Sequence, residues 1–308
     1  MSGAQVSSTG ARRAIVIGGG FIGSAAARAL ARHGWHVGQV TRAPIGRLDG
    51  VARIELDYRS PAVADHLAGA EALVFATGEM LPAFLPDDFA AAYVEQVAPV
   101  ITLTERAHRA GVTRMVFVSS GGTVYGPAVT VPTHEECPTE PVNAYGCLKL
   151  QTEVALRFLA TQLGISIVSL RVANPYGPGQ RTDRGLGFVS VVLDRALRGQ
   201  EIAIWGDGEV TRDFLFIDDL GRAIAAATRT RTARDVINIG SGREISLNRV
   251  CALVEEMTGR AIARSYQPPR SIDVPRSTLA IDRAWEELSW RPEITLRDGI
   301  ARMLETRT

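Results

Sequence analysis

Lys149 falls four positions after Tyr145, and it is the only lysine in a chain of 308 residues. On a helix that spacing sets a phenol and an ammonium side by side on one face. A free phenol titrates near pH 10, too high for proton transfer at neutrality. A neighbouring positive charge favours the phenolate, and the pair can then take a proton from a hydroxyl group or return one. The plainer reading is a helix-face tyrosine beside a surface lysine. Composition bears on the choice, because every other residue among the 34 lysines and arginines is arginine. Arginine serves the remaining basic positions, whereas a compact point charge is the chemically demanding choice.

A second candidate lies near the start. Ile15-Val16-Ile17 runs into Gly18-Gly19-Gly20-Phe21-Ile22-Gly23. Gly18 permits a tight turn, Gly20 lets backbone approach a pyrophosphate, and Gly23 lets a helix pack closely on the strand. The N-terminus of that helix offers free N–H groups and partial positive charge to phosphates. The same spacing also occurs as a bare strand–helix turn, but here it has the right flanks and opens the first such unit. At the end of the second strand, dinucleotide folds that prefer NAD place an acid. This chain reads Val40-Thr41-Arg42 there. A hydroxyl with a guanidinium suits a 2′-phosphate, which points to NADP(H) ahead of NAD(H); a solvated surface arginine is the other reading. Asp57, after the third strand, is placed to accept a hydrogen bond from an adenine amine or, equally, to cap a turn.

The elements that must position these residues alternate in period. Short apolar runs at 14–17, 36–40, 54–56, 72–76, 115–118 and 166–170 read as strands buried on both faces. Stretches with helical spacing lie between them at 24–33, 61–68, 89–110 and 145–163, with Gly34, Gly69, Gly111 and Gly164 where a helix end wants positive φ. The alternation predicts an α/β fold with a doubly wound parallel sheet and right-handed crossovers. After about Asn174 the chain turns rich in Gly, Pro and Arg, with a helix predicted at 188–198 and a strand at 201–205. This texture predicts a smaller, loop-rich lobe over the ends of the strands, where such folds bind ligands.

Net charge is +1, so nothing electrostatic argues for nucleic acid or membrane partners. The three cysteines, Cys137, Cys147 and Cys251, offer neither a disulfide framework nor a metal spacing, and no metal is expected. Met1 to Gly10 is small and polar and reads as a disordered lead-in without the apolar core of a signal peptide. No apolar run approaches the roughly 18 residues of a membrane helix, and the expected location is cytoplasmic.

An ordered set of motifs spans residues 12 to 305. It comprises Gly18–Gly23, Val118-Ser119-Ser120 with Val124-Tyr125-Gly126, Pro141-Val142-Asn143-Ala144-Tyr145 with Lys149, and Leu170-Arg171 with Asn174-Pro175-Tyr176-Gly177-Pro178-Gly179-Gln180. It continues through Gly206-Asp207-Gly208, Arg212-Asp213-Phe214, Asp218-Asp219, Asn238 to Gly242, and Arg270 with Asp273. In this set the chain resembles the extended short-chain dehydrogenase/reductases, specifically the nucleotide-sugar epimerase/dehydratase family typified by UDP-galactose 4-epimerase.

The resemblance implies a Rossmann-type dinucleotide domain at 12–174 plus about 214–240, and a nucleotide-sugar lobe at 175–213 and 241–308. It implies Tyr145 as acid–base, Lys149 on the nicotinamide ribose, and a hydroxyl that polarises the sugar oxygen. One common serine position is Gly121 here, which leaves Thr123 as the donor and Gly121 on the substrate side. Phe21, Ile22, Tyr58, Ala76, Thr77, Gly78, Ser119 and Val172 are implied to line the cofactor. Asn174, Arg212 and Arg270 are implied to face a nucleotide diphosphate, with salt bridges to Asp213 or Asp273 as the plainer reading of the two arginines. Trp205 is placed in a base pocket or, equally, in the core. The implied partner is a nucleotide-diphospho-sugar, and the family's dimer is built on helices near 89–110 and 145–163.

The chain departs from the pattern in several places. Its glycine turn is one residue shorter, the second-strand acid is missing, and a frequent asparagine after the fourth strand aligns with Glu95. Gly122 and Thr123 replace the acidic pair of sugar dehydratases, which argues against 4,6-dehydration. The expectation is therefore an NADPH-dependent 4-ketoreductase, with an NAD-retaining 4-epimerase as the alternative and a non-catalytic NAD(P) sensor as the third reading.

Overall fold

A computed structural model describes residues 12–42, 46–78, 86–127, 130–183, 187–270 and 274–306. The polar lead-in at 1–10 and Asp273 lie outside the described residues. In chain order, β1 (Arg13–Ile17), α1 (Phe21–Arg32), β2 (His36–Thr41), β3 (Val51–Glu55), α2 (Val63–Leu67) and β4 (Ala72–Phe75) come first. There follow α3 (Phe89–Gln96), α4 (Ala98–Arg109), β5 (Arg114–Ser120), α5 (Gly121–Val124), α6 (Ala144–Leu163), β6 (Ser166–Val172) and β7 (Asn174–Tyr176). Next are α7 (Phe188–Arg198), β8 (Ile202–Trp205), β9 (Thr211–Arg212), β10 (Phe214–Phe216), α8 (Ile217–Arg229) and β11 (Val236–Ile239). The chain closes with β12 (Ile245–Ser246), α9 (Leu247–Thr258), β13 (Arg264–Gln267), β14 (Arg276–Ser277), α10 (Asp282–Leu288) and α11 (Leu296–Glu305).

Seven strands form one sheet in the order β11-β6-β5-β4-β1-β2-β3, and every pairing within it is parallel. Strand β1 shows why both faces are covered. Ala14 and Val16 pack into a cluster shared with α1, α8 and the C-terminal elements, while Ile15 and Ile17 pack with α2, α4 and α6. All four are buried, so an isolated sheet would expose apolar surface on either side. Because β1 pairs with both β2 and β4, the winding reverses beside β1. A crevice opens at the strand ends of such a reversal. The remaining strands form small pairings outside this sheet, β10 with β7, β9 with β12 and β14, and β8 with β13. Strands β8, β9 and β12 to β14 belong to the C-terminal lobe.

Two expectations need correction. The helical stretch at 89–110 is two helices, because Pro99 at the start of α4 has no N–H to continue the hydrogen bonding of α3. The third strand lies at 51–55 rather than 54–56, and the described residues between β2 and β3 contain no crossover helix. The glycine stops hold: Gly34, Gly69, Gly111 and Gly164 all have positive φ.

Candidate active site

The glycine turn is built as its spacing demands. Gly18 has φ +121° and a methyl there would overlap the Ala76 carbonyl, so only glycine fits. A methyl on Gly23 would overlap the Gly18 carbonyl, which is how closely α1 returns to the strand end. Buried Gln39 locks the turn by donating to the Gly18 carbonyl at 2.9 Å. Gly20 differs, since a methyl there would meet nothing within 4 Å. Its absent side chain leaves a cradle over an N-terminus that no side chain caps and no acid shields. The donor set therefore fits a dinucleotide diphosphate.

This turn opens into a cleft of about 1090 Å³ that runs from α1 to the C-terminal lobe. Gly20, Phe21, Ile22, Ala76, Thr77, Gly78, Ser119, Thr123, Tyr145, Lys149, Val172, Asn174, Trp205, Arg212 and Arg270 all line it. The sequence-derived site residues thus converge, with exceptions. Thr41 is buried, Arg42 is exposed, and neither lines the cleft. Asp57 accepts from the Arg59 N–H at 2.9 Å, the turn-capping arrangement, and it too stands off the cleft. Tyr58 stacks edge-on against Phe75 at 5.3 Å and walls a side cavity of about 30 Å³ that touches Tyr145 and Lys149. Gly121 is a correction: it is buried against Leu279, whose side chain a methyl would overlap, and its neighbour Gly122 lines the cleft instead.

Tyr145 and Lys149 sit at the start of α6. Asn143 caps this helix by accepting from the Gly146 N–H at 2.8 Å, and Gly164 ends it in the left-handed region. A methyl on Gly146 would overlap the Thr123 carbonyl. That glycine lets the first turn of α6 press against α5, bringing Tyr145 beside the hydroxyl residues. Burial pushes the Tyr145 phenol up to about 12, offset in part by a hydrogen bond with Ser120. Burial lowers the Lys149 ammonium to about 8, against the opposing pull of Glu153. Lys149 Nζ donates to the Val118 carbonyl at 2.9 Å and lies 4.9 Å from the Phe117 ring centre. The Thr123 hydroxyl is buried, lines the cleft and has no hydrogen-bond partner among the described residues. A desolvated hydroxyl left in this state is costly to the fold, which marks it as a group awaiting a ligand.

At the lobe end, Asn174 donates to the Asp213 carbonyl at 3.2 Å, and Arg212 donates to the Val274 and Thr211 carbonyls at 2.7 and 2.8 Å. Arg270 lies 5.0 Å from the centre of the Trp205 ring, which is 42% exposed; the core reading of that tryptophan is set aside. The Asp213 carboxylate is wholly buried and accepts from Ser241, Gly242 and Leu279. It is thus engaged elsewhere, and the proposed Arg212–Asp213 ion pair is not formed.

Sequence reasoning missed several residues. Ser120 lines the cleft at Tyr145, although the paired serines gave the signal. Gln96, not Glu95, faces the side cavity, and Glu95 is exposed. Arg28, Arg47, Arg181 and Arg195 join Arg212 and Arg270 along the cleft; they carry no local motif. With Lys149 these make seven cationic side chains among the described lining residues, and none of the lining residues is Asp or Glu. In a chain of net charge +1, basic side chains are thus concentrated among the described lining residues, a lining that favours anions.

Known proteins share this fold. Residues 14–240 match the family described as "NAD dependent epimerase/dehydratase family". The chain is 34% identical to the dTDP-4-dehydro-6-deoxyglucose reductase of Escherichia coli, over 69% of this chain and 67% of that protein. It superposes with a TM-score of 0.88 on the UDP-glucose 4-epimerase of Thermotoga maritima solved with UDP-glucose, at 32% identity, covering 95% of this chain and 97% of that one. The UDP-glucose 4-epimerase of Thermus thermophilus solved with NAD gives a TM-score of 0.86 at 26% identity, covering 95% and 98%. On the family match, the glycine turn and the tyrosine–lysine pair, this chain is an enzyme of the NAD dependent epimerase/dehydratase family.

Proposed function

We propose that the chain is a nucleotide-diphospho-sugar 4-epimerase that retains NAD. The observation that carries this reading is the convergence of Tyr145, Lys149 and the Thr123 hydroxyl, which has no partner among the described residues, at one end of a cleft rich in arginine. The basis for preferring NADP(H), Thr41 with Arg42, lies outside that cleft. Two of the similar structures are UDP-glucose 4-epimerases, which supports the epimerase reading.

When bound, a nicotinamide would supply the reversible two-electron oxidation, held by the glycine turn and Lys149. The Tyr145 oxygen takes the proton of the sugar hydroxyl and later returns it. The nearby charge of Lys149 stabilises the phenolate that this requires. Thr123 Oγ1 donates to the sugar oxygen and holds it at Tyr145. Arg212 and Arg270 clasp the nucleotide diphosphate by charge-assisted contacts, fixing one end of the substrate while the sugar faces Tyr145.

The test is NMR of the purified protein with UDP-glucose and no added cofactor. Conversion to UDP-galactose supports the reading. A protein that is active only with added NADPH, and only on a 4-keto-sugar nucleotide, overturns it. That second reading, a 4-ketoreductase, has its own support: Arg28 and Arg47 line the cleft near the glycine turn, where guanidinium groups suit a 2′-phosphate. We also propose a homodimer through α3 and α6. Val94 and Phe158 are each 63% exposed and Val154 is 52% exposed on these helices. A Phe158→Glu variant that keeps the wild-type mass in light scattering would remove this interface.

A further inference from the structure

Behind the acid–base pair lies a buried charge pair that proton transfer does not itself require. Glu153 stands one helical turn beyond Lys149 on α6, and its side chain is 1% exposed. Arg171, on β6, donates to its carboxylate at 2.8 and 3.1 Å. The Ser119 hydroxyl on β5 donates to the same carboxylate. The Arg171 guanidinium also stacks over Tyr125 at 4.7 Å, and the Tyr125 hydroxyl donates to Asn238 on β11 at 2.7 Å. A chain of polar contacts therefore runs from the catalytic helix across three neighbouring strands.

Two features tie this cluster to the chemistry. Lys149 grips the Val118 carbonyl while Glu153 grips the hydroxyl of the next residue, Ser119. Successive turns of α6 are thus stitched to successive residues of the strand that delivers Ser120 and Thr123. The second feature is charge. The groups around Lys149 are Tyr145 and Glu153 on its own helix, Tyr58 after β3, Thr77 and Gly78 after β4, Phe117 on β5 and Gln96 on α3. Glu153 is the only carboxylate among them, with Arg171 behind it.

We propose that Glu153 is a positioning residue for the oxidoreductive step: it keeps Lys149 charged and pins the hydroxyl-bearing end of β5 against α6. Arg171 balances the carboxylate so that it stays ionised in the core. The functional side of this proposal rests on the epimerase/reductase reading, but the measurement does not. Lys149 is the only lysine, so protein grown with labelled lysine gives one side-chain ε-carbon signal, and its shift with pH reports this one amine.

In wild-type protein the midpoint should lie near 8. In Glu153→Gln it should fall by about one pH unit, since a nearby opposite charge has been removed. Glu153→Asp, which keeps the charge, should stay near wild type. Should Glu153→Gln fail to fold, the double variant Glu153→Gln/Arg171→Gln leaves no buried charge uncompensated and is read instead. Its midpoint should also fall, because the carboxylate one turn from Lys149 is gone and Arg171 stands behind it, farther from the amine. The proposal is overturned by a midpoint in either variant that matches wild type. If the midpoint falls while the wild-type protein turns over no sugar nucleotide, the positioning stands and the proposed reaction is what fails.

Discussion

The two ends of the cleft are built on opposite plans. At the end that holds Tyr145 and Lys149, both side chains are half-buried and glycines bring backbone into contact. At the lobe end, arginines stand in the half-exposed wall, held by backbone carbonyls, beside an exposed tryptophan. Chemistry that moves a proton needs a fixed distance and a low dielectric. Recognition of a phosphate tolerates water and is served by long, forked donors. The comparison teaches that substitutions at the first end should act on turnover and those at the second on binding.

The largest effect expected is from Tyr145→Phe. It should lower kcat by about 10²–10⁴ while cofactor affinity, measured by fluorescence titration, stays within about twofold. An equal loss of affinity would break the distinction between the two ends. Thr123→Val should cost about 10²–10³ in kcat, as for a lost oxyanion donor. Because the Thr123 hydroxyl is buried without a partner, the same variant should melt no lower than wild type without substrate. A marked fall in Tm would mean the hydroxyl serves the fold instead.

At the other end, Arg212→Met should raise KM by about 10–100-fold with kcat little changed, the value of one charge-assisted contact. The smallest effect belongs to Arg47→Ala. It should weaken NADPH binding by about two- to fivefold and leave NADH alone, the scale of an exposed charge contact.

pH sharpens the same contrast. Lys149 loses its proton near 8 in the fold, against about 10.4 in an unfolded chain. Turnover should therefore decline above about pH 8 while substrate binding persists, since arginine keeps its charge. The sign for stability is the reverse. The lowered lysine is a burden present in full below pH 8, and it is relieved as pH rises from there toward the unfolded value. Lys149→Met should accordingly raise the Tm of cofactor-free protein at pH 7 although it removes turnover.

How much could be read from the sequence follows the same division. The glycine turn and the tyrosine–lysine pair are local: spacing alone fixes the geometry, and each sits where its spacing places it. The sheet was legible because short, continuously apolar runs alternate with stretches of helical spacing. What escaped was long-range. Arg28 and Arg47 reach one wall from different elements, and Arg212 is aimed by a carbonyl of Val274 in another segment. Thr41 and Arg42 stand at the strand end that the spacing gave, yet Thr41 is buried, Arg42 is exposed and neither lines the described cleft. Gly121 misled similarly: motif comparison located the position but could not reveal that Leu279 fills the space beneath it.

That leucine has a consequence for how the molecule is made. Leu279 is tethered by its N–H to Asp213 and forms the floor under α5, the helix that carries Thr123. A ribosome adds about 5–20 residues each second, so this floor arrives roughly ten to thirty seconds after the hydroxyl it supports. Until then the residues of the glycine turn and of the tyrosine–lysine pair have been made but the floor beneath Thr123 has not. Synthesis thus orders the two halves of the enzyme in time, with the cofactor cradle emerging before the substrate's.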